Sequence, residues 1–398
     1  MTSSHRLLRE VRRSFLPLGW TAFGGPAAHI GYFRTEFVER RRWVSDATYG
    51  DLVAMSQFLP GPASSKVGMA LGYSRAGIAG MASSWFLFTF PSAFILCLFG
   101  LLVSPSDKPG WLSGLLAGLL AAAAGVVAHA IYGMTKKLLR TPMAWALAIA
   151  SSLILILTGS AWQLPVLAMA GLLGALFSSR TGAALPTPKY EDTPDLKTVP
   201  AHLAWGCLSA FFLLLIGLAG LAQLSDGYLI TRANAFYQSG ALVFGGGHVV
   251  LPLLEDKFVG AGWLSQADFL AGYSVAQGVP GPLFTFASYL GAVDGGIGGA
   301  IFGTVLIFLP GALLTLAVLH FWSRWNHLRW LRGAFAALSA AVIGLLVSAL
   351  WDPIITHGIT GWTSGAIALG AAIALWRKLP PWAVAISCLL YTSDAADE

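Results

Sequence analysis

The chain has 398 residues, of which 56% are hydrophobic and only 11% are charged, and its formal net charge is +6. Soluble domains usually carry about 25% charged residues, so a chain this apolar is expected to cross a membrane several times. Basic residues of such a protein mostly mark its cytoplasmic face, so the net charge does not indicate nucleic-acid binding. The three cysteines (Cys97, Cys207 and Cys388) lie far apart in apolar stretches and indicate neither a disulfide framework nor a metal site.

The first apolar segments of the chain are interrupted. Met1–Arg13 is polar and basic, without the apolar run of a signal peptide. Phe15–Phe33 and Asp46–Tyr73 are apolar enough to enter a membrane, but Gly24-Gly25-Pro26 breaks the former and Pro60-Gly61-Pro62 the latter. Proline removes a helical donor, and irregular backbone at membrane depth is tolerated only inside protein or beside a wet cavity. We therefore predict broken or re-entrant helices in both segments.

Uninterrupted apolar stretches follow, and a spanning helix needs about 20 apolar residues. Met143–Ser179 is long enough for two helices, with a turn between Gly159 and Pro165. Other stretches without Asp, Glu, Lys or Arg are each long enough for one span: Ala76–Val103, Trp111–Met134, Leu203–Leu224, Gly296–Trp322, Gly333–Trp351 and Gly358–Trp376. The sequence thus predicts an all-α polytopic membrane protein with about 8–10 spanning helices.

The second half of the chain repeats the first. The matched pieces are Phe23-Gly24-Gly25-Pro26 and Phe244-Gly245-Gly246-Gly247, then Trp43 and Trp263, then Gln57-Phe58-Leu59-Pro60-Gly61-Pro62 and Gln277-Gly278-Val279-Pro280-Gly281-Pro282. An apolar stretch ending in Pro91 or Pro310 closes each copy, and Phe236–Leu254 and Leu264–Val293 are the broken segments of the second copy. A duplicated membrane unit with matched Gly and Pro breaks is typical of a transporter and points to its binding site.

Charge placement predicts that the second copy is inverted. Arginines stand on both sides of the first broken segment, so both flanks are expected in the cytoplasm. These arginines are Arg6, Arg9, Arg12, Arg13, Arg34, Arg40, Arg41 and Arg42. The equivalent loop of the second copy has Glu255, Asp256 and only Lys257. We predict a first repeat over residues 1–179, a cytoplasmic linker over 180–200 and a second, inverted repeat over 201–391. The tail over 392–398 is of doubtful significance, and we assign it no role.

The Pro-Gly-Pro turns are the main candidate site. A helix that begins after Pro62 or Pro282 presents free N–H groups and the positive end of its dipole, which suits an anion. Ser64, Ser65 and Lys66 follow the first turn, where a lysine in an apolar segment indicates function or, alternatively, snorkels or pairs structurally. The candidate substrate-binding residues are Gly24, Gly25, His29, Gln57, Pro60, Gly61, Ser64, Ser65, Lys66, Gly245, Gly246, Gly247, His248, Gln277, Gly281 and Thr285.

Four titratable residues in the broken segments are candidates for proton coupling: His29, Asp51, His248 and Asp268. Histidine changes charge near neutral pH, and an embedded carboxylate can carry a proton. The two histidines are offset in the repeat, as are the two aspartates. Each candidate has a structural alternative: a hydrogen-bonded histidine, an interfacial carboxylate, a packing glycine, or a glutamine that caps freed backbone groups.

Several classes of function find no support in the sequence. It has no G-x-x-x-x-G-K-[ST] loop for nucleotide binding and no H-E-x-x-H or C-x-x-C metal spacing. We therefore expect no catalytic residues, no cofactor and no metal, and a transport step driven by an ion gradient through exchange or symport. A membrane-embedded enzyme is a less favoured alternative, because it would need a nucleophile or metal constellation.

The repeated motifs resemble the chromate ion transporter (CHR) family in its long, two-domain form. The resemblance lies in Phe23-Gly24-Gly25-Pro26 with His29, Trp43 and Leu59-Pro60-Gly61-Pro62, and in Phe244-Gly245-Gly246-Gly247-His248, Pro252 and Val279-Pro280-Gly281-Pro282, and it covers about residues 10 to 380. It implies a bacterial inner-membrane carrier that exports chromate and confers resistance, with sulfate as the usual competitor. One departure is Lys66, where the family often has Gln; an added cation is compatible with a dianion.

The partners expected from the sequence are a chromate- or sulfate-like oxyanion, a coupling ion such as the proton, and the lipid bilayer. Free backbone N–H groups recognise a tetrahedral dianion by shape and charge, so they do not distinguish chromate, sulfate and molybdate. The oligomeric state stays open, with a homodimer among the alternatives. A lipid-phosphate carrier built from re-entrant hairpins is a second transport hypothesis, and it would need a lateral opening lined by basic residues.

Overall fold

The structure is a computed structural model that describes residues 3–23, 25–102, 124, 127–128, 131–136, 138–159, 162–181, 197–225, 227–243, 250–325, 328–356 and 361–377. These residues form helices and connecting turns, without a β-strand among them. The all-α class predicted from the sequence is confirmed. The predicted span Trp111–Met134, most of the linker and the tail lie largely or wholly outside the described residues.

The first copy contributes α1 (Ser3–Thr21), α2 (Gly25–Arg34) with a π-helical continuation (Thr35–Arg40), α3 (Asp46–Phe58), α4 (Ala63–Leu102), α5 (Pro142–Thr158) and α6 (Gln163–Thr181). After α7 (Ala201–Leu224), the second copy contributes α8 (Tyr228–Leu242), α9 (Val250–Phe258), α10 (Gln266–Gly278), a 3-10 turn (Leu283–Thr285), α11 (Phe286–Trp325), α12 (Arg329–Ala349) with a π-helical continuation (Leu350–Ile355), and α13 (Trp362–Trp376).

Four described segments are long and apolar enough to cross a membrane: Ala63–Leu102, Ala201–Leu224, Leu283–Phe321 and Arg329–Ser348. Each overlaps a predicted span, and Ala63–Leu102 and Leu283–Phe321 also include the second part of a predicted broken segment. Met143–Ser179 divides into α5 and α6 at Gly159, as predicted. Large apolar side chains of α7 are exposed, including Leu213, Ile216 and Leu224, which suits contact with lipid. The chain is therefore a multi-pass membrane protein.

The two longest helices, α4 and α11, each fold back on themselves. In α4, Ala76 and Gly77 leave the helical conformation, and Gly77 has φ +65°. A side chain at Gly72 would overlap Gly80, which lies on the other side of the bend. α11 bends in the same way at Gly295–Gly296. Each helix therefore consists of a short arm before the bend and a long arm after it.

The chain also reverses direction at the predicted breaks. Phe15 of α1 stacks on Phe37, beyond α2, with ring centroids 4.9 Å apart. Trp43, which precedes α3, contacts Arg75 at the end of the short arm of α4. α3 and that short arm therefore form a hairpin, with residues 59–62 at its inner end, and we call these residues the first tip. Residues 279–282, between α10 and α11, are the second tip.

The two copies repeat these contacts. Phe236 packs on Phe258 in the second copy (5.0 Å between centroids) as Phe15 packs on Phe37 in the first. Ser265 accepts the N–H of Asp268 at the start of α10, as Ser45 accepts that of Thr48 at the start of α3, both at 3.1 Å. The sequence repeat is therefore a repeat of local structure. The inversion across a membrane stays a prediction.

The close approach at Gly72 makes a direct test of the fold. Gly72→Ala places a methyl group against Ser84 and the Gly80 backbone, and overpacking of this kind costs about 1–3 kcal/mol. We expect a lower melting temperature and less folded protein in a detergent-based size-exclusion assay. Gly217→Ala is the matched control, because a Cβ at Gly217 meets no neighbour within 4 Å. Equal stability of the two variants would contradict the packing of the two arms of α4.

Candidate functional site

The two tips bind to opposite copies through backbone hydrogen bonds. The N–H of Gly61 in the first tip donates to the carbonyl of Val243, at the end of α8 (2.7 Å). The N–H of Gly281 in the second tip donates to the carbonyl of Ala22, at the end of α1 (2.9 Å). The four residues occupy matched positions of the repeat. This reciprocal pair of bonds joins both tips to the ends of α1 and α8 at one place in the protein.

Both tip glycines adopt a conformation that L-residues avoid. Gly61 has φ +95° and Gly281 has φ +99°. A Cβ at Gly61 would lie 3.3 Å from the Cα of Gly311, and one at Gly281 would lie 2.8 Å from the Ser92 hydroxyl oxygen. Both the backbone conformation and the lack of space therefore require glycine.

His29 connects the first copy to the second tip. Its Nε2 lies 3.1 Å from the carbonyl oxygen of Ala22, the same oxygen that accepts from Gly281. A carbonyl only accepts, so Nε2 carries the proton. Nδ1 lies 3.2 Å from the Ser64 hydroxyl, which donates to it when the ring is neutral. The imidazole thus lies between the first turn of α4 and the second tip.

Lys66 is fully buried and binds the first tip. Its ammonium group donates to the carbonyl of Leu59 and to that of Pro60, the latter at 3.0 Å. Among the described residues, no carboxylate pairs with it. Lys66 therefore stabilises carbonyls freed at the C-terminal end of α3 and retains one N–H donor of its three.

The first turn of α4 offers further donors beside Lys66. The N–H of Lys66 makes the first helical bond, to the carbonyl of Pro62, so those of the three preceding residues have no helical acceptor. The Ser65 hydroxyl is buried and has no hydrogen-bond partner. In the second copy, the hydroxyl of Thr285 already donates to the carbonyl of Pro282 (2.7 Å). The first copy therefore carries most of the unengaged donors.

The other predicted residues lie in different surroundings. Gln57 is exposed, and Gln277 bonds to Tyr273 one helical turn before it. Asp51 is buried on α3, whereas Asp268 accepts from the Ser265 hydroxyl (2.5 Å) at the start of α10. Gly24, Gly245, Gly246, Gly247 and His248 lie outside the described residues. The structure thus brings together Pro60, Gly61, Ser64, Lys66 and His29 with Gly281.

The basic residues that follow α2 are largely paired. Arg41 bonds to Glu36 (2.5 Å), and Arg34 bonds to both carboxylate oxygens of Asp46 (2.9 and 2.7 Å). The bond from Arg34 lowers the pKa of Asp46 below its ordinary value. These ion pairs weaken the charge with which this surface would attract anions.

Sequence reasoning missed the residues that face the tips. Ser92 and Gly311 directly follow the matched prolines Pro91 and Pro310, and each faces the tip of the other copy. Their identical position after a repeated proline is the signal that could have identified them. Ala22 and Val243 contribute only backbone carbonyls, so their side chains carry no such signal.

A cavity of about 810 Å³ lies elsewhere, among α6, α7, α8 and α12. Its described lining is mostly apolar, with Gln223 and Gln238 as polar members, and it includes none of the predicted site residues that the structure describes. His29, Ser64 and Lys66 at the tips are at most 1% exposed. An ion can therefore reach the tips only after a conformational change.

A multi-pass helical protein with duplicated, broken hairpins that meet at a buried polar centre has the architecture of a membrane transporter. The chain matches the family described as chromate transporter over residues 9–176 and 230–392. It belongs to the chromate transporter family, and this membership supports transport of chromate across the membrane.

Curated relatives agree with the family assignment. A probable chromate transport protein of Synechococcus elongatus is 28% identical over 94% of this chain and 92% of its own length. A chromate transport protein of Cupriavidus metallidurans is 27% identical over 86% of this chain and 82% of its own length. A chromate transport protein of Pseudomonas aeruginosa is 28% identical over 92% of this chain and 91% of its own length. No solved structure matches the chain significantly.

The glycines of the tips allow a test of the centre. Gly61→Val and Gly281→Val combine a positive φ, which costs about 1–2 kcal/mol for an L-residue, with the contacts to Gly311 or Ser92. We expect each variant to insert into the membrane and to lose transport in vesicles. Gly262→Val is the control, because Gly262 also has a positive φ (+71°), has no neighbour within 4 Å of an added Cβ, and is not a candidate site residue. Normal transport by both tip variants would exclude the tips from the site.

Proposed function

We propose that the protein is a secondary active transporter that exports chromate, or a related tetrahedral oxyanion such as sulfate, across the bacterial inner membrane. Its N-terminus faces the cytoplasm, and its two copies are inverted repeats whose tips meet near the midplane. Family membership supports chromate as the substrate. The arginines around the first broken segment support the orientation.

One observation carries the location of the substrate site: the first turn of α4 gathers unengaged donors in a buried place. Three backbone N–H groups, the hydroxyl of Ser65 and the remaining N–H of Lys66 belong to four consecutive residues. A tetrahedral dianion presents four acceptor oxygens, and the helix dipole and the ammonium charge both favour it. These donors recognise charge and shape, so sulfate and molybdate are expected to compete with chromate.

The membrane potential favours export of a dianion. Outward movement of one negative elementary charge across an inside-negative membrane is favourable by about 2.3 kcal/mol per 100 mV, and that of a dianion by roughly twice as much. An ion gradient adds to this force through the coupling residues. We propose His29 as the main proton carrier, because protonation of Nδ1 turns the ring into a donor toward Ser64 and frees the serine hydroxyl proton.

Asp51 and, outside the described residues, His248 are the remaining proton-coupling candidates. Asp268 is the weakest of the four, because its carboxylate accepts a hydrogen bond from the hydroxyl of Ser265, the N-cap residue of α10. The lipid-phosphate carrier receives less support, because none of the described residues that line the cavity among α6, α7, α8 and α12 is basic. For a membrane-embedded enzyme, the described residues contain no group of three metal-ligating side chains.

The function is tested in inside-out vesicles from cells that make the protein. We expect accumulation of chromate under an imposed membrane potential, and competition by sulfate and molybdate. A parallel series with and without a proton gradient determines the coupling. Vesicles that move none of these anions under either gradient would refute the proposal.

Lys66→Gln tests whether the ammonium charge contributes to anion binding. The amide can still donate to the carbonyls of Leu59 and Pro60, so the tip is expected to keep its structure while the charge is lost. A charge-assisted hydrogen bond contributes about 1.5–3 kcal/mol, so the KM for chromate should rise by roughly 10- to 100-fold. Lys257→Gln on α9 is the control. An unchanged KM would assign Lys66 to the structure of the tip alone.

His29→Gln tests proton coupling. The glutamine amide can reproduce the bond to the Ala22 carbonyl but cannot take up a proton. We expect chromate transport to become independent of the proton gradient, with the membrane potential as the only force. Asp51→Asn is the comparison. If Asp51→Asn removes the dependence on the proton gradient and His29→Gln keeps it, Asp51 is the coupling residue.

A further inference from the structure

A tryptophan and an ion pair lie at the outer end of the first hairpin. Trp43 Nε1 donates to one carboxylate oxygen of Glu10 (2.8 Å), and the Arg75 guanidinium donates to the other (2.8 and 3.2 Å). The guanidinium also lies 5.4 Å from the centre of the Trp43 ring. These three residues, which we call the first clamp, join α1 to the start of α3 and to the end of the short arm of α4.

The second copy has an equivalent cluster with the charges exchanged. Arg232 of α8 forms a bidentate pair with Asp294 at the end of the short arm of α11 (2.8 and 2.9 Å). Its guanidinium lies 3.4 Å from the centre of the Trp263 ring and 4.7 Å from that of Tyr228. Arg232, Trp263 and Asp294 form the second clamp. In the first clamp the acidic residue, Glu10, lies on the first helix of its copy. In the second clamp the basic residue, Arg232, lies on the first helix of its copy.

We propose that the two clamps are positioning devices that hold each hairpin against the first helix of its own copy, and that opening of one clamp admits ions to the tips from that end only. This inference rests on the proposed carrier function. In the structure both clamps are formed and the donors at the tips are buried, which is the arrangement of an occluded carrier. Each clamp lies at the end of its hairpin that is farther from the tip.

The second clamp is the tighter of the two. Its ion-paired side chains are 14% and 10% exposed, against 35% and 29% in the first clamp. In the second clamp the arginine bonds to both carboxylate oxygens of its partner and lies beside two aromatic rings. In the first clamp the arginine lies beside one aromatic ring. Ion pairs that are less exposed to water are less screened, and cation–π contacts strengthen on desolvation. The end that carries the first clamp should therefore open more readily.

Thiol labelling from each face tests the clamps without any substrate. The reporter is Ser65→Cys in a chain without Cys97, Cys207 and Cys388, and the reagent is a membrane-impermeant maleimide. We expect slow labelling from both faces when both clamps are intact. Glu10→Gln should accelerate labelling about tenfold or more from the face of the first clamp alone, and Asp294→Asn from the opposite face alone.

Exchange of the charges separates a clamp from a general loss of stability. The second clamp shows that an arginine on the first helix can stack on the tryptophan, so Glu10→Arg with Arg75→Glu should restore slow labelling. Acceleration at both faces by either single variant, or a double variant that labels as fast as Glu10→Gln, would overturn the clamps. Because labelling needs no anion, this result is independent of the chromate assay. If the chain has the opposite orientation, the two effects exchange faces.

Discussion

The reciprocal hydrogen bonds between the tips and the ends of α1 and α8 are the constraint on which the centre of the protein depends. A break in a membrane-embedded helix leaves backbone donors and acceptors unpaired, and each such group costs several kcal/mol in hydrocarbon. Here each copy supplies the group that the other lacks, because a glycine with positive φ directs its N–H toward a carbonyl of the opposite copy. One copy cannot form this centre alone, so the local chemistry requires two copies of the unit.

Most of the polar side chains at the centre form hydrogen bonds with backbone carbonyls. Lys66 covers two carbonyls of the first tip, His29 binds the carbonyl of Ala22, and Thr285 covers that of Pro282. The embedded lysine is therefore explained in part by the break beside it. Its charge is held next to the first turn of α4, and no carboxylate in the described part of the chain pairs with it. This combination leaves a positive, buried and incompletely engaged site, which an anion would complete.

The sequence predicts those features of the fold that a residue type determines locally. It does not predict the features that tertiary contacts determine. Matched prolines and glycines predict the breaks, and Gly159 predicts the division between α5 and α6. The bends inside α4 and α11 lie next to boundaries between predicted segments, at Tyr73–Ala76 and at Val293–Gly296. The sequence does not predict how closely the two arms approach at these reversals. They depend on contacts such as Gly72 against Gly80. The roles of the Ala22 and Val243 carbonyls could not be predicted from the sequence either, since every residue has a backbone carbonyl.

In the proposed carrier, the departures from the repeat provide a way for two similar copies to produce a directional cycle. Two identical inverted copies would give inward-open and outward-open states of equal energy. Lys66 corresponds to Phe286 and Ser92 to Gly311, so charge and hydroxyl groups concentrate on one copy. The clamps differ as well, in polarity and in burial. Such differences in the contacts that change between two states set their relative populations, since only differential interactions shift a conformational equilibrium. The asymmetry of the contacts therefore provides a bias that the duplicated backbone alone cannot.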